Sequence, residues 1–355
     1  MTRRQHSAPG GRSRRQQLTA LAKQLLYRSG LIALARRCGA QHAYLPVVRY
    51  HAVHDAPDYC PPSIAVAAAQ FDREIAYLAA HYTIITVEQA VSCLRDGRPF
   101  PRRAVAITFD DGYRDNLTVA LPILARHGAS AMFYVTAGPV IERTRFWVGW
   151  LQRAVFGAAR PRAIADAFAL DLAALGGDRV PHRQALVDAI SAHINRGGAT
   201  AREAALARVE QALGAGAVPD GVDFMLDADD LRALAAAGME IGSHTVNHAM
   251  LTGLDDAEAQ RELSRSRALL EGALDAPVTH LAYPNGPGDP VNFDARVAAL
   301  AAAAGYRSAV TSRRGAFTRD ADPYALPRHA ANHAYGTAEF AFKLEEQRFS
   351  ALLLG

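Results

Sequence analysis

The stretch that most restricts this chain is Ala104–Asn116, AVAITFDDGYRDN. Its apolar beginning, Ala104-Val105-Ala106-Ile107, is a buried-strand pattern. Asp110 and Asp111 then fall where the strand should end, and Gly112 lets the chain turn. Burying two adjacent carboxylates costs several kcal/mol unless a cation or hydrogen bonds compensate. Side chains of consecutive strand residues point in different directions, so one acid can bind a metal while its neighbour faces substrate or water. A solvated Asp-Asp-Gly turn is the plain alternative.

A second stretch, Met239–His248, reads as another short strand ending in a His-x-x-x-His pair, His244 and His248. Two imidazoles at this spacing converge if the chain turns helically after the strand. Two His and one carboxylate, with positions left open for water, form the pattern of a catalytic divalent metal site.

TFDDGYRDN followed by SHTVNH resembles the first two motifs of the polysaccharide deacetylases, the NodB-like carbohydrate esterases that include chitin and peptidoglycan deacetylases. The resemblance runs over residues 44–335 with one long interruption. It implies that Asp110 is the catalytic base and that Asp111, His244 and His248 hold a divalent metal, usually Zn²⁺. Ala282-Tyr283-Pro284-Asn285-Gly286 stands at the third motif, with Ala282 where the family has an arginine that orients the base. Arg328 is the candidate substitute, or a structural arginine; Asn285-Gly286 is also simply a good turn. The general acid of the family is a His. Tyr50-His51 matches the arrangement of relatives acting on poly-N-acetylglucosamine, which makes His51 the first choice, His54 the second and His329 the third. The resemblance implies an acetylated carbohydrate substrate, with acetate and a free amino sugar as products. In that chemistry a protonated His delivers a proton to the departing amine, and the backbone N–H of Tyr113 helps stabilise the oxyanion. An O-acetyl esterase and a carbohydrate-binding relative that has lost turnover are the competing readings.

Seven strand candidates alternate with helices: Tyr44–Tyr50, Ala104–Ile107, Ala129–Thr136, Met239–Ser243, Thr279–Tyr283, Tyr306–Thr311 and Tyr324–His329. Alternation of this kind implies a parallel sheet of the α/β class. With polar residues at the strand ends, the expectation is a distorted (β/α)7 barrel over residues 44–335. Residues 140–227 break the pattern with Ala-rich helical segments, read as a helical insertion. Its aromatic patch, Phe146-Trp147-Val148-Gly149-Trp150, is suited either to stacking on sugars or to packing the insertion on the barrel. Residues 336–355 are expected to form a C-terminal helix.

Residues 1–54 hold ten of the 39 Lys and Arg and no acid, which leaves 29 basic against 35 acidic residues in the remainder. The basic character therefore belongs to an N-terminal arm, residues 1–43, with helical periodicity from Leu18 to Arg37. Such a helix can lie on an anionic membrane surface or simply pack on the domain. No stacking motif accompanies it, so nucleic-acid binding is not expected. Three cysteines without CxxC spacing indicate neither a disulfide framework nor a thiolate metal site. With no long apolar run, a cytoplasmic protein, peripheral at the inner membrane surface, is expected.

Overall fold

The computed structural model describes residues 14–38, 43–214, 218–285, 291–331, 333 and 336–354. Its centre is a curled, mainly parallel sheet surrounded by helices, a distorted (β/α) barrel. The strands are β1 Tyr44–Tyr50, β2 Thr83–Ile84, β3 Ala104–Phe109, β4 Met132–Val135, β5 Glu240–Ser243, β6 His280–Ala282, β7 Ser308–Val310, β8 Ala316–Thr318 and β9 His329–Ala330. They lie in the order β7-β6-β5-β4-β3-β1-β8, with β2 on β3 and β9 on β1. A bridge from Leu326 to Val310 joins the β9 segment to β7 and so brings the two sides of the sheet together.

Alternation along β1 sets the two faces. Leu45 and Val47 point into the barrel, among Ala106, Met132, Tyr134, Ala282, Val310 and Leu326, with the helix Val87–Arg95 plugging the end. Val48 and Tyr50 point outward, into a core shared with Val105, Ile107, Phe109 and Phe133. The plug helix begins with a capping box, Thr86 accepting from the Gln89 N–H and Gln89 from the Thr86 N–H, as its Thr-x-x-Gln spacing favours.

Residues 140–227 contain the helices Trp147–Gly157, Pro161–Ala167, Arg183–Asn195 and Ala199–Leu213. They bury a separate cluster that includes Trp150, Leu151, Ile164, Leu186, Ile190 and Val209. Phe146, Trp147 and Trp150 are all buried, so the aromatic patch packs inside the molecule. The basic periodic stretch is two helices, Arg14–Arg28 and Leu31–Cys38. Gly30, at φ 77°, makes the break in a left-handed conformation that glycine adopts without strain. Arg36 is buried in the second helix and donates to the Tyr77 hydroxyl at 2.8 Å. The C-terminal helix, Thr337–Leu354, is held by a buried Tyr82–Glu345–Arg348 chain. Cys60 and Cys93 are buried free thiols. Among the described residues no helix is long and apolar enough to cross a membrane.

Candidate active site

Three parallel strands deliver the polar residues to one rim. Asp110 and Asp111 follow β3, His51 follows β1, and His244 and His248 follow β5. The Asp110 N–H donates to Tyr50 O and the His244 N–H to Val135 O, so each residue continues its strand's ladder by one step. Asp111 then leaves the sheet at φ 79°, and its carbonyl accepts from the Thr136 N–H.

Asp111, His244 and His248 are buried, and one potential ligand atom from each lies within 4.8 Å of the others. Asp111 Oδ1 is 3.4 Å from His244 Nε2 and 3.3 Å from His248 Nε2. His244 Nδ1 lies 2.8 Å from the Ala282 carbonyl. A carbonyl can only accept, so this nitrogen carries a proton and Nε2 is the ring atom turned toward Asp111. Across a buried gap from the two imidazoles, Asp111 Oδ1 has no hydrogen-bond partner among the described residues. A cation is what such a group needs, and the carboxylate–imidazole donor set suits a divalent metal.

The His pair does not converge by a helical turn. Residues 245–247 form a tight turn in which Thr245 has φ 64° and His248 φ 53°. Left-handed backbone at non-glycine residues costs about 1–3 kcal/mol each and persists where surrounding contacts impose it. Glu262, on the helix Asp256–Leu274, imposes it here. Its carboxylate accepts from Val246 N at 2.9 Å, Asn247 N at 3.0 Å and Asn247 Nδ2 at 2.7 Å. Phe146 and Trp147 hold the His248 ring edge-on at 5.7 and 6.2 Å between centroids. Trp147 also donates to Asn247 O.

Asp110 is clamped from the far side of the barrel. Arg328 Nη1 donates to Asp110 Oδ1 at 2.6 Å and Nη2 to Oδ2 at 2.7 Å, while Nε donates to Thr311 O. Burial alone would raise the Asp110 pKa, but the Arg328 charge and hydrogen bonds, with His244, bring it down to about 2. Arg328 thus reaches the acid that the third motif, carrying Ala282, cannot reach. Ala282 contributes its carbonyl to His244 instead.

His51 Nε2 is 4.0 Å from Asp110 Oδ2. Burial, assisted by Arg49 and Arg328, outweighs the nearby acids and pulls its pKa down to about 4. A ring with this pKa is neutral at rest near pH 7. The loop of His51 is held by Asn116, which donates to His51 O, and by Asp115, which accepts from Val53 N and from the Tyr59 hydroxyl. His54 is exposed and accepts from Ala56 N within its own loop. His329 is paired in register with outward-facing Val48, which places it on the face opposite Arg328. The Tyr113 ring is buried against Tyr59, Phe146 and Phe224. Its backbone follows Gly112, whose φ of 92° turns the chain beneath the rim.

The polysaccharide deacetylase family model matches residues 97–309, more than half of the chain. The chain belongs to the polysaccharide deacetylase family. YxkH of Bacillus subtilis (strain 168) is 21% identical over 307 residues, covering 86% of this chain and 78% of YxkH. Among solved structures, the deacetylase PplD of Streptococcus pyogenes, in complex with acetate, superposes with a TM-score of 0.58 at 17% identity, over 85% of this chain and 98% of PplD. IcaB from Ammonifex degensii gives 0.55 at 17% identity, over 86% and 98%. These likenesses share the fold, the distorted NodB-type barrel. In this polysaccharide deacetylase the two sequence motifs thus meet at one rim, Arg328 reaches them from 218 residues beyond Asp110, and Glu262 anchors the second from the helix that follows it.

Proposed function

We propose that this polysaccharide deacetylase is a metal-dependent hydrolase that removes N-acetyl groups from an acetylated glycan or its lipid-linked precursor, releasing acetate. The observation that carries the reading is the convergence of Asp111, His244 and His248 beside the Arg328-clamped Asp110. A divalent ion, of which zinc is our choice, would be held by those three residues and would supply Lewis acidity, lowering the pKa of water from about 15.7 toward 7. Asp110, fixed and ionised, accepts the proton of the attacking water. The Tyr113 N–H stabilises negative charge on the former carbonyl oxygen. His51, neutral at rest, takes up the water-derived proton from Asp110, 4.0 Å away, and passes it to the departing amine, which returns both residues to their starting states. A cleft of about 710 Å³ lined by Arg143, Trp147, Arg202 and Asn247 adjoins the His turn and gives room for a sugar.

An O-acetyl ester could be cleaved at the same centre. Acetate release from N-acetylated and from O-acetylated oligosaccharides, measured side by side, separates the two activities. Release from neither sinks the hydrolase reading and leaves a carbohydrate-binding relative. Asp110→Asn should abolish release while metal stays bound; loss of the metal would reverse the roles of the two acids.

For the basic arm our reading is contact with an anionic membrane surface. Leu18, Leu21 and Leu25, on one side of the helix Arg14–Arg28, are 54–68% exposed, in a segment that carries no acid. Sedimentation with anionic vesicles, and its loss in Leu21→Asp, is the expected result; equal sedimentation of both proteins refutes it.

A further inference from the structure

Arg49 breaks the inner face of β1. Leu45 and Val47 precede it on that face, deep in the apolar interior, and His51 follows it at the rim. Strand alternation puts the arginine one layer beneath His51. Its guanidinium reaches across the barrel, where Nη1 donates to Ser312 Oγ at 2.5 Å. Ser312 lies just past the end of β7, and its hydroxyl donates onward to Asn285 O at 2.7 Å, just past the end of β6. The head of Arg49 therefore lies in the same rim as the candidate ligands.

What it lacks is an acid. Asp110 already has both oxygens on Arg328, and Asp111 faces two imidazoles. Among the described residues no carboxylate forms an ion pair with Arg49, and its Nε is buried without a partner. Asn285 Nδ2, on the residue whose carbonyl ends this chain, is also buried without a partner among the described residues. A buried guanidinium edge with no acceptor among the described residues constitutes an unmet demand for an anion. A buried cation resting on one neutral hydroxyl is costly. Burial, with repulsion from Arg328, outweighs the longer-range attraction of Asp110 and Asp111 and lowers the Arg49 pKa to about 10, so the side chain still carries its charge at neutral pH.

We propose that Arg49 forms a carboxylate subsite at the catalytic rim, the guanidinium edge that carries the free Nε taking the two oxygens of the ligand. A guanidinium edge matches a carboxylate as a two-pronged fork. Two sources have this chemistry, the acetate product and a uronic acid carried by the substrate. Naming these two sources rests on the deacetylase reading above. The donors themselves do not depend on it.

The test uses the full-length, metal-loaded protein and two variants, Arg49→Gln and Arg49→Lys, each checked for folding by its circular-dichroism melt. Acetate binding is measured by isothermal titration. Turnover is measured on a neutral N-acetylglucosamine oligosaccharide and on one with an adjacent glucuronic acid. We expect acetate to bind about 10-fold more weakly to Arg49→Gln. Arg49→Lys, which keeps the charge but loses the fork, should bind with intermediate affinity. If acetate is the physiological ligand, product inhibition weakens and the ratio of kcat/KM between the two sugars stays fixed. If a uronic acid is, that ratio falls by about 10-fold in Arg49→Gln. Wild-type acetate affinity in a folded variant, together with an unchanged sugar ratio, overturns the subsite. Should Arg49→Gln not fold, Arg49→Lys alone decides by the same two readouts. Should no sugar release acetate, the deacetylase reading fails while acetate binding still reports on Arg49.

Discussion

Arg328→Gln is the most informative single change in this site. The wild-type guanidinium holds both oxygens of a buried Asp110 at 2.6 and 2.7 Å and also ties Thr108 Oγ1 and Thr311 O. Removing one partner of a buried ion pair costs about 3–5 kcal/mol, because the remaining charge is left uncompensated. The sign of the accompanying pKa change is fixed by the environment. Burial already pushes the Asp110 pKa up, and the arginine overrides it to reach about 2. Without the cation, burial prevails, and the pKa rises by roughly 1–3 units or more. The acid limb of the pH–rate profile, out of reach in the wild type, should then enter the range around pH 4–6. At pH 7 the acid remains ionised but is no longer oriented, and a displacement on the order of 1 Å costs about 10²-fold in kcat. Acetate release followed from pH 4 to 8, with urea unfolding of the same samples, measures all three effects. Arg328→Lys retains the charge without the fork and should recover stability more than rate. A glutamine variant with normal kcat and an unmoved acid limb would refute the idea that Arg328 orients and ionises the base.

Further changes test other parts of the site. His244→Ala with His248→Ala should abolish stoichiometric metal binding, read by elemental analysis; full occupancy would remove the assignment. Glu262→Ala should weaken metal affinity by about 10–100-fold without touching a ligand, because the turn carrying His248 loses its three-bond anchor; competition with a chromophoric chelator measures it. His329 is buried beside Lys343 and Arg314, and burial first, then those charges, lowers its pKa from 6.5 to about 4. The unfolded chain therefore binds a proton there that the folded chain refuses. Stability contributed by the neutral ring is present above about pH 6.5 and is lost as the pH falls toward 4, amounting to about 3 kcal/mol. In His329→Asn this part of the acid sensitivity should disappear from urea titrations at pH 4 and 7.

The sequence was most legible where chemistry and secondary structure share a short segment. Asp110 and Asp111 close a fully buried strand, and His244 ends another, so motif and strand end are one signal. Elements of two or three residues left no readable period: β2, and β8, which runs antiparallel to β1. The last strand was expected over Tyr324–His329, whereas pairing is confined to His329–Ala330, with Leu326 bridging separately to β7. The turn at His248 escaped because its left-handed residues are imposed by Glu262, fourteen positions later on a helix whose polar face looks ordinary. Asp115 and Asn116 lay inside the first motif, yet their hold on the His51 loop depends on contacts across more than fifty residues. Arg328 could be nominated only because Ala282 left a vacancy in the resemblance.

The segment Leu326–Ala330 joins the sheet's two sides and carries Arg328 to an acid 218 residues earlier. At a synthesis rate of about 5–20 residues per second, Asp110 leaves the ribosome roughly 10–40 s before its cation exists. Throughout that interval a carboxylate destined for complete burial has only water to stabilise it. The rim must therefore stay wet during translation, and the nascent chain holds no armed base. On the proposed mechanism hydrolysis reaches its full rate only with the closing segment, which would make acetate release a reporter of barrel completion as much as of the residues that perform the chemistry.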